Sequence, residues 1–307
     1  GEEGYQQGVA VLAGVELNNA DCHYLALGLS EMLPCPDGEP QKMIEAVAAN
    51  SGLGFLAHPF EQGSRLIENG LAFPWTSWPV FGFTGLEIWN YSSHWRSRAK
   101  SAPRLLYWFL LNRKAAMDGP PVSGLKLWDC YTTAGHQVVA IGGTDAHAVR
   151  RKVAFVPVKI FSYRYLCRTI NTYICLREPL SDLFPAAKDQ IYSALKNGNC
   201  YVSLDQLHSG KGFSFTACRQ RTGNIEALMG DRIMYSQGLS FSVHAPSHRA
   251  VIRLLRNGCI IEQKKGAALS FQPSLPGVYR AELYYCALIG KPRPWLYSNP
   301  IYLRSMK

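Results

Sequence analysis

Val138-Val139-Ala140-Ile141-Gly142-Gly143-Thr144-Asp145-Ala146-His147 is the stretch that decides how this chain folds. Its first half is apolar and rich in β-branched residues, and two glycines follow, so the pattern predicts a buried strand that ends in a turn. Beyond the turn stand a carboxylate and an imidazole in Asp-x-His spacing. In an extended segment such side chains lean to the same side, and both can reach one metal ion. A lone Asp-x-His is more often a helix-capping Asp followed by a surface His. The ligand reading gains weight because the same arrangement, a strand followed by a ligand type, recurs upstream.

Val9 to Leu17 is a near-continuous apolar run closed by Glu16, and continuous apolarity fits a strand covered on both faces. His23 opens the strand-like His23-Tyr24-Leu25-Ala26-Leu27-Gly28-Leu29. Gly54-Phe55-Leu56-Ala57-His58-Pro59 repeats the pattern, and Pro59 both stops the ladder and holds His58 out of the α region. Gly85-Leu86-Glu87-Ile88-Trp89-Asn90 repeats it again. Helical spacing is predicted over Pro40 to Asn50, Ala99 to Ala116 and Gly124 to Gly135. Alternating short strands and helices argue for an α/β barrel or parallel sheet, in which sites form at the C-terminal ends of strands. Glu16, His58, Asn90 and Asp145 all take that position.

Lys152 to Ile160 reads as one more strand, and Ala186 to Gly198 as a helix with a glycine stop. From about Gly212 the pattern becomes period-two: Phe213, Phe215 and Ala217 share a face, as do Leu239, Phe241 and Val243. Turns at Asn257-Gly258 and Pro276-Gly277 separate these runs, which predicts a small antiparallel sandwich.

The chain has 307 residues, 47% of them hydrophobic, enough for two domains with packed cores. The expected division is residues 1–205 and residues 206–307. No apolar run is long enough for a membrane span, the strongest being Leu105 to Leu111. The net charge of +10 suits an anionic partner, but the basic groups, such as Arg96-Ser97-Arg98-Ala99-Lys100, are short and no nucleic-acid motif accompanies them. A small anionic or ester-type substrate is expected, and no specific nucleic acid. Nine cysteines without a C-x-x-C pair fit a reduced, cytoplasmic protein, although Gly1 is no initiator and an earlier leader stays open. Oligomeric state does not follow from the sequence.

Gly14-Val15-Glu16, His23-Tyr24-Leu25, Ala57-His58-Pro59, Leu86-Glu87-Ile88-Trp89-Asn90 and Gly143-Thr144-Asp145-Ala146-His147 resemble, in order and spacing, the motifs of the PHP (polymerase and histidinol phosphatase) metallohydrolases. Leu127-Trp128-Asp129, Ala194-Leu195-Lys196-Asn197-Gly198 and Trp295 to Tyr302 resemble its carbaryl-hydrolase-like CehA/McbA branch. The resemblance implies a distorted (β/α)7 PHP-type barrel followed by the sandwich, with two or three divalent metal ions (Zn, Mn or Fe). It implies Glu16 as a bridging carboxylate, His23 and His58 as ligands of one ion, and Asp145 and His147 as ligands completing the others. Glu16, Asp145 and His147 would then serve catalysis. Asn90 and Glu87 would stand behind the ligands or against the substrate, and Arg65, Arg150 and Arg151 are candidates for holding an anionic substrate.

The expected activity is hydrolysis by metal-activated water of a phosphoester, or of a carbamate, ester or amide. The family's opening His-x-His and Asp-His motifs have no counterpart before Gly14. The expectation is therefore that the barrel's first strands are missing, with weak metal binding and poor activity from this chain alone. The alternative from another class is a catalytically impaired PHP-like barrel that serves as a binding module.

Overall fold

The computed structural model describes residues 2–20, 22–35, 37–147, 149–153, 156–220 and 222–305, with the side chains at 68, 149–153 and 156–160 outside that description. The first half is organised on an open sheet of β1 (Gly14–Asn18), β2 (His23–Leu27), β3 (Leu53–Leu56), β4 (Gly85–Asn90) and β5 (Val139–Gly143), paired in that order. β2 is antiparallel to both β1 and β3, while β3, β4 and β5 pair in parallel. Four strands thus run one way and β2 alone runs against them. Every residue of β3 and β4 is buried, as in strands covered on both faces, and β4 buries Glu87 and Asn90 along with its apolar residues. Covering helices are α1 (Pro40–Ala49), before β3, and α2 (Tyr91–Arg98), α3 (Ala102–Leu110) and α4 (Val122–Thr133), between β4 and β5. Met43, Ile44, Val47, Trp95, Trp108 and Trp128 bring their apolar faces into one core.

The expected distorted (β/α)7 barrel is not what forms. Among the described residues the sheets stay open, and the outer edge of β5 shows why. Asn299 accepts the Ala140 N–H through Oδ1 at 2.8 Å and donates through Nδ2 to the Ala140 and Cys200 carbonyls, each at 2.9 Å. Thr172 Oγ1 accepts the Gly142 N–H at 2.9 Å and donates to the Gly142 carbonyl at 2.7 Å. These side chains satisfy the backbone groups that a further barrel strand would have used. The two glycines also differ from expectation, since both lie inside β5. Gly142 is needed there because a Cβ would meet Val202 Cγ1 at 2.4 Å, so the strand can pack closely on its neighbour only without a side chain.

Other elements differ locally. The run Val9 to Leu17 divides into Val9–Val11 and β1, and the strand expected over Lys152 to Ile160 is an antiparallel hairpin of Val149–Val153 with Val156–Ile160. The helix expected over Ala99 to Ala116 begins at Ala102, behind a Ser101 cap and with Pro103 in its first turn, and its end tightens into a 3-10 turn, Arg113–Ala116.

Most of the rest is two facing sheets, with the helix Phe184–Asn197, stopped by Gly198, joining Ile170–Ile174 to Cys200–Leu204. One has eight strands and joins Ile170–Ile174 and Cys200–Leu204 to Arg293–Ser298, Gly277–Tyr285, Ala250–Arg256 and Cys259–Lys265, with Arg232–Met234 and Ile301–Arg304 off that path. The other is Ile225–Leu228, Ser214–Arg219, Leu239–His244 and Ala268–Phe271. Phe215, Phe241, Ile252, Leu254, Tyr279 and Leu283 fill the space between them. Arg280 ties this part to α4: it pairs with Asp129 and Glu282, and its guanidinium lies 5.1 Å from the centre of the Trp128 ring.

Asn299 is 1% exposed, so its loss strands polar groups of two sheets away from water. Asn299→Ala should lower unfolding free energy by about 2–3 kcal/mol in urea denaturation. A change below about 0.5 kcal/mol, the scale of a surface substitution, would contradict this account of the β5 edge.

Candidate metal centre

The direction of β2 builds the site. In the β1–β2 hairpin Asn18 pairs with His23 and Glu16 with Leu25, so His23 starts β2 at the edge where β1 ends. Glu16 and Asn18 point to one face of β1, and His23, opposite Asn18, reaches Glu16 along the diagonal. His58 follows β3 by two residues, Asn90 ends β4, and Asp145 follows β5 by two residues. All five positions therefore meet at one edge of the sheet.

Glu16, His23 and His58 come together there, each offering a ligand atom within 4.8 Å of the others. Both imidazoles face the same oxygen, Glu16 Oε1, with His23 Nδ1 at 3.1 Å and His58 Nε2 at 3.4 Å. Phe73 stacks on His23 with ring centres 4.3 Å apart, and the two histidine rings meet edge to face. One carboxylate and two imidazoles form a donor set that suits Zn, Mn or Fe, so these residues fit a divalent ion.

His58 is fixed from every side. Its φ is +28°, a conformation that costs energy in a residue with a Cβ. Its N–H donates to Glu87 Oε2 at 3.0 Å, and its carbonyl accepts the Glu61 N–H at 2.9 Å. Glu61 was not anticipated from the sequence, although His58-Pro59-Phe60-Glu61 has the spacing of a turn that folds a side chain back on its first residue. The Glu61 side chain is fully buried, and its Oε2 lies 3.4 Å from His58 Nδ1 and accepts the Phe73 N–H at 3.1 Å. At 3.4 Å the imidazole contact is an attraction of charges, longer than a strong hydrogen bond. Arg96, from α2, pairs with the same carboxylate. An acid behind a histidine, on the nitrogen away from the ligand side, is the usual device for setting ring orientation and tautomer.

Glu87 and Asn90 lie behind the cluster. Asn90 Nδ2 donates to Glu87 Oε2 at 2.9 Å, and Asn90 Oδ1 caps α2 by accepting the Ser93 N–H at 2.8 Å. Both ends of Asn90 are engaged within the protein. Gly143 leaves room for the Glu87 carboxylate, since a Cβ there would meet Oε1 at 2.5 Å.

Asp145 and His147 are less tightly gathered. Asp145, at φ +46°, is near enough to interact electrostatically with His58 and Glu87, but it stands outside the group of three. Ser92 Oγ holds its loop by donating to the Thr144 and Asp145 carbonyls, both at 2.8 Å. The His147 ring is 71% exposed, and its Nδ1 lies 3.0 Å from Asp145 Oδ1. Arg65 is exposed in the loop after β3, and the side chains of Arg150 and Arg151 lie outside the described residues.

A cavity of about 400 Å³ opens beside His58, lined by Glu61, Glu87, Asn90, His94, Arg98 and Asp118 among others. Neither Glu16 nor His23 lines it. Among the described residues, ligand atoms converge only at the three-residue cluster, and the cavity reaches it through His58. His94 Nε2 lies 2.9 Å from Asp118 Oδ1, and Arg98 pairs with the same carboxylate.

Hydrogen bonds, burial and neighbouring charges together set the titration of these groups. Hydrogen bonds from His23 and then His58 hold the Glu16 carboxyl down at about 2. Burial pulls His58 downward, but Glu16, Glu87 and Asp145 together outweigh it and raise the imidazole. Burial pushes Glu87 up to about 7, against the stabilising effect of His58 and Asn90.

No protein-family model matches the chain, and no curated protein matches it. Among solved structures, it is similar to a two-domain protein from Bacteroides vulgatus ATCC 8482 containing a predicted PHP-like metal-dependent phosphoesterase, at a TM-score of 0.36 and 12% identity, over 95% of this chain and 75% of that one. A likeness this distant carries nothing about chemistry.

Two outcomes follow from the buried acids. Glu87 is raised, so its stabilising contribution is present below its ordinary 4.5 and lost as pH rises through about 7; Glu16 is lowered, so its contribution is present above 4.5 and lost as pH falls toward 2. In metal-stripped protein, Glu87→Gln should therefore gain on wild type across pH 4.5 to 7, by on the order of 3 kcal/mol once Glu87 ionises, read from urea denaturation. A difference that stays constant with pH would refute this. Glu61→Gln should weaken Zn or Mn affinity by about 10–100-fold in a chelator competition titration; unchanged affinity would remove Glu61 from its positioning role.

Proposed function

We propose that this chain is a metal-dependent hydrolase of the PHP kind, acting on a phosphoester. The carrying observation is the convergence of Glu16, His23 and His58 on one point at the C-terminal edge of β1, β3, β4 and β5. The order of the motifs that resemble the PHP metallohydrolases supports the same reading.

A divalent ion bound there would supply Lewis acidity, lowering the pKa of water and polarising the bond to be cleaved. The chain's own residues do the rest. Glu16, His23 and His58 would hold the ion, and Glu61 with Arg96 keeps the His58 ring turned so that Nε2 faces Glu16 Oε1. Asp145 places a second carboxylate beside this group, and His147, at the surface, is carried on the same loop. Lys100 brings a cation to the neighbouring cavity, where Arg98 is already paired with Asp118, and a cation there suits a phosphoryl group.

Hydrolysis of p-nitrophenyl phosphate and of a naphthyl carbamate, each with Mn or Zn supplied, tests this reading. Phosphate release should dominate, and His58→Ala should lower kcat/KM by more than about 100-fold, beyond the range of groups that only orient a ligand. Asp145→Ala should also reduce turnover. Faster carbamate cleavage would move the substrate class, and full activity in Asp145→Ala or His58→Ala would overturn the metal mechanism.

A further inference from the structure

Between Tyr91 and Met117 the chain carries six cations and no carboxylate; Arg96 and Arg98 pair with Glu61 and Asp118, and the basic character of the segment rests on Lys100, Arg104, Arg113 and Lys114. Within that basic segment α3 is apolar on two sides. Trp108 is buried and Leu105 packs on the core. The opposite side is open: Leu106, Tyr107, Leu110 and Leu111 are 59%, 46%, 65% and 78% exposed. At about 100° per residue these four cover one stripe roughly 140° wide, and Arg104 falls at its margin. Its guanidinium lies 5.8 Å from the centre of the Trp108 ring.

A second apolar tip rises near the same segment. Leu288 and Ile289 are 85% and 92% exposed, in a loop that also carries Lys291. Arg293, at the end of that loop, donates to the Met117 carbonyl at 2.9 Å and to the Lys114 carbonyl. The loop is therefore anchored where the basic segment ends.

An exposed apolar stripe of this kind marks a surface that meets something other than water. A second copy of the chain, docked about a two-fold axis, would set one group of cations against its own image. An anionic bilayer complements both features at once. Leucine and tyrosine side chains enter the boundary between headgroups and acyl chains, while lysine and arginine meet lipid phosphates. We propose that α3, together with the Leu288–Ile289 tip, is a peripheral attachment surface for an anionic lipid bilayer. No described helix is long and apolar enough to cross a membrane. This proposal is independent of the hydrolase reading.

Cosedimentation of the full chain with vesicles of phosphatidylcholine, with and without phosphatidylserine, tests it. Binding to the anionic vesicles should be at least about tenfold tighter than to phosphatidylcholine alone and should weaken with salt. The combined substitution Leu106→Ser, Leu110→Ser and Leu111→Ser should reduce binding at least about tenfold, and Arg104→Glu with Lys114→Glu should do the same. All these side chains except Arg104 and Lys114 are replaced on the open stripe, and circular dichroism checks that each variant stays folded. Three results would overturn the proposal: no binding to anionic vesicles, equal binding by the serine variant, or a dimer in sedimentation velocity that the serine variant abolishes.

Discussion

The structure of the site depends on a shared carboxylate. Glu16 receives two imidazoles on one oxygen, and it can do so only because β2 reverses direction within the sheet. Were β2 parallel to its neighbours, His23 would open at the far edge, a strand length from Glu16. The tight return between β1 and β2 is fastened by Asn19, whose Oδ1 accepts the Cys22 N–H at 2.8 Å. Trp75 then donates from Nε1 to the His23 carbonyl at 2.9 Å, locking the start of β2 against the loop after β3. A local hairpin thus determines which residues can share a cation.

Around that point the protein concentrates negative charge in a poorly solvated place. Glu61 and Glu87 are both buried, and buried carboxylates are costly unless each finds a partner. Glu61 has Arg96 and the Phe73 N–H. Glu87 has the His58 N–H and the Asn90 amide, and even so burial raises it to about 7. The excess of acid over base keeps His58 readily protonated, and a divalent ion would relieve the same imbalance. His58 and Asp145, both at positive φ, put backbone strain at this edge and not within the buried strands that support it.

Much of the edge was legible in the chain. Val139 to Gly143, Leu53 to Leu56 and Gly85 to Asn90 announce buried strands by continuous apolarity, and the residues just beyond them are the ones that reach the site. The open edge of β5 was not legible, because it depends on Asn299 and Thr172, which act from far along the chain. Neither has a local signature, and an asparagine before a proline reads simply as a turn. The two glycines of β5 were misread for a related reason: glycine signals a turn in isolation, whereas here it is required by the approach of Val202 and of the Glu87 carboxylate. Glu61 and Arg96 escaped notice because each seems an ordinary surface charge until the loop after β3 folds back onto α2.

Titration of metal-stripped protein with Co(II), followed by its visible absorption, tests the central claim most directly. A saturable site with d–d bands typical of nitrogen and oxygen ligation should appear in the wild type and vanish in His23→Ala, His58→Ala and Glu16→Ala, while Glu61→Gln retains it with lower affinity. Absence of a saturable Co(II) site, or one indifferent to all three substitutions, would contradict the assignment of Glu16, His23 and His58 as a metal centre.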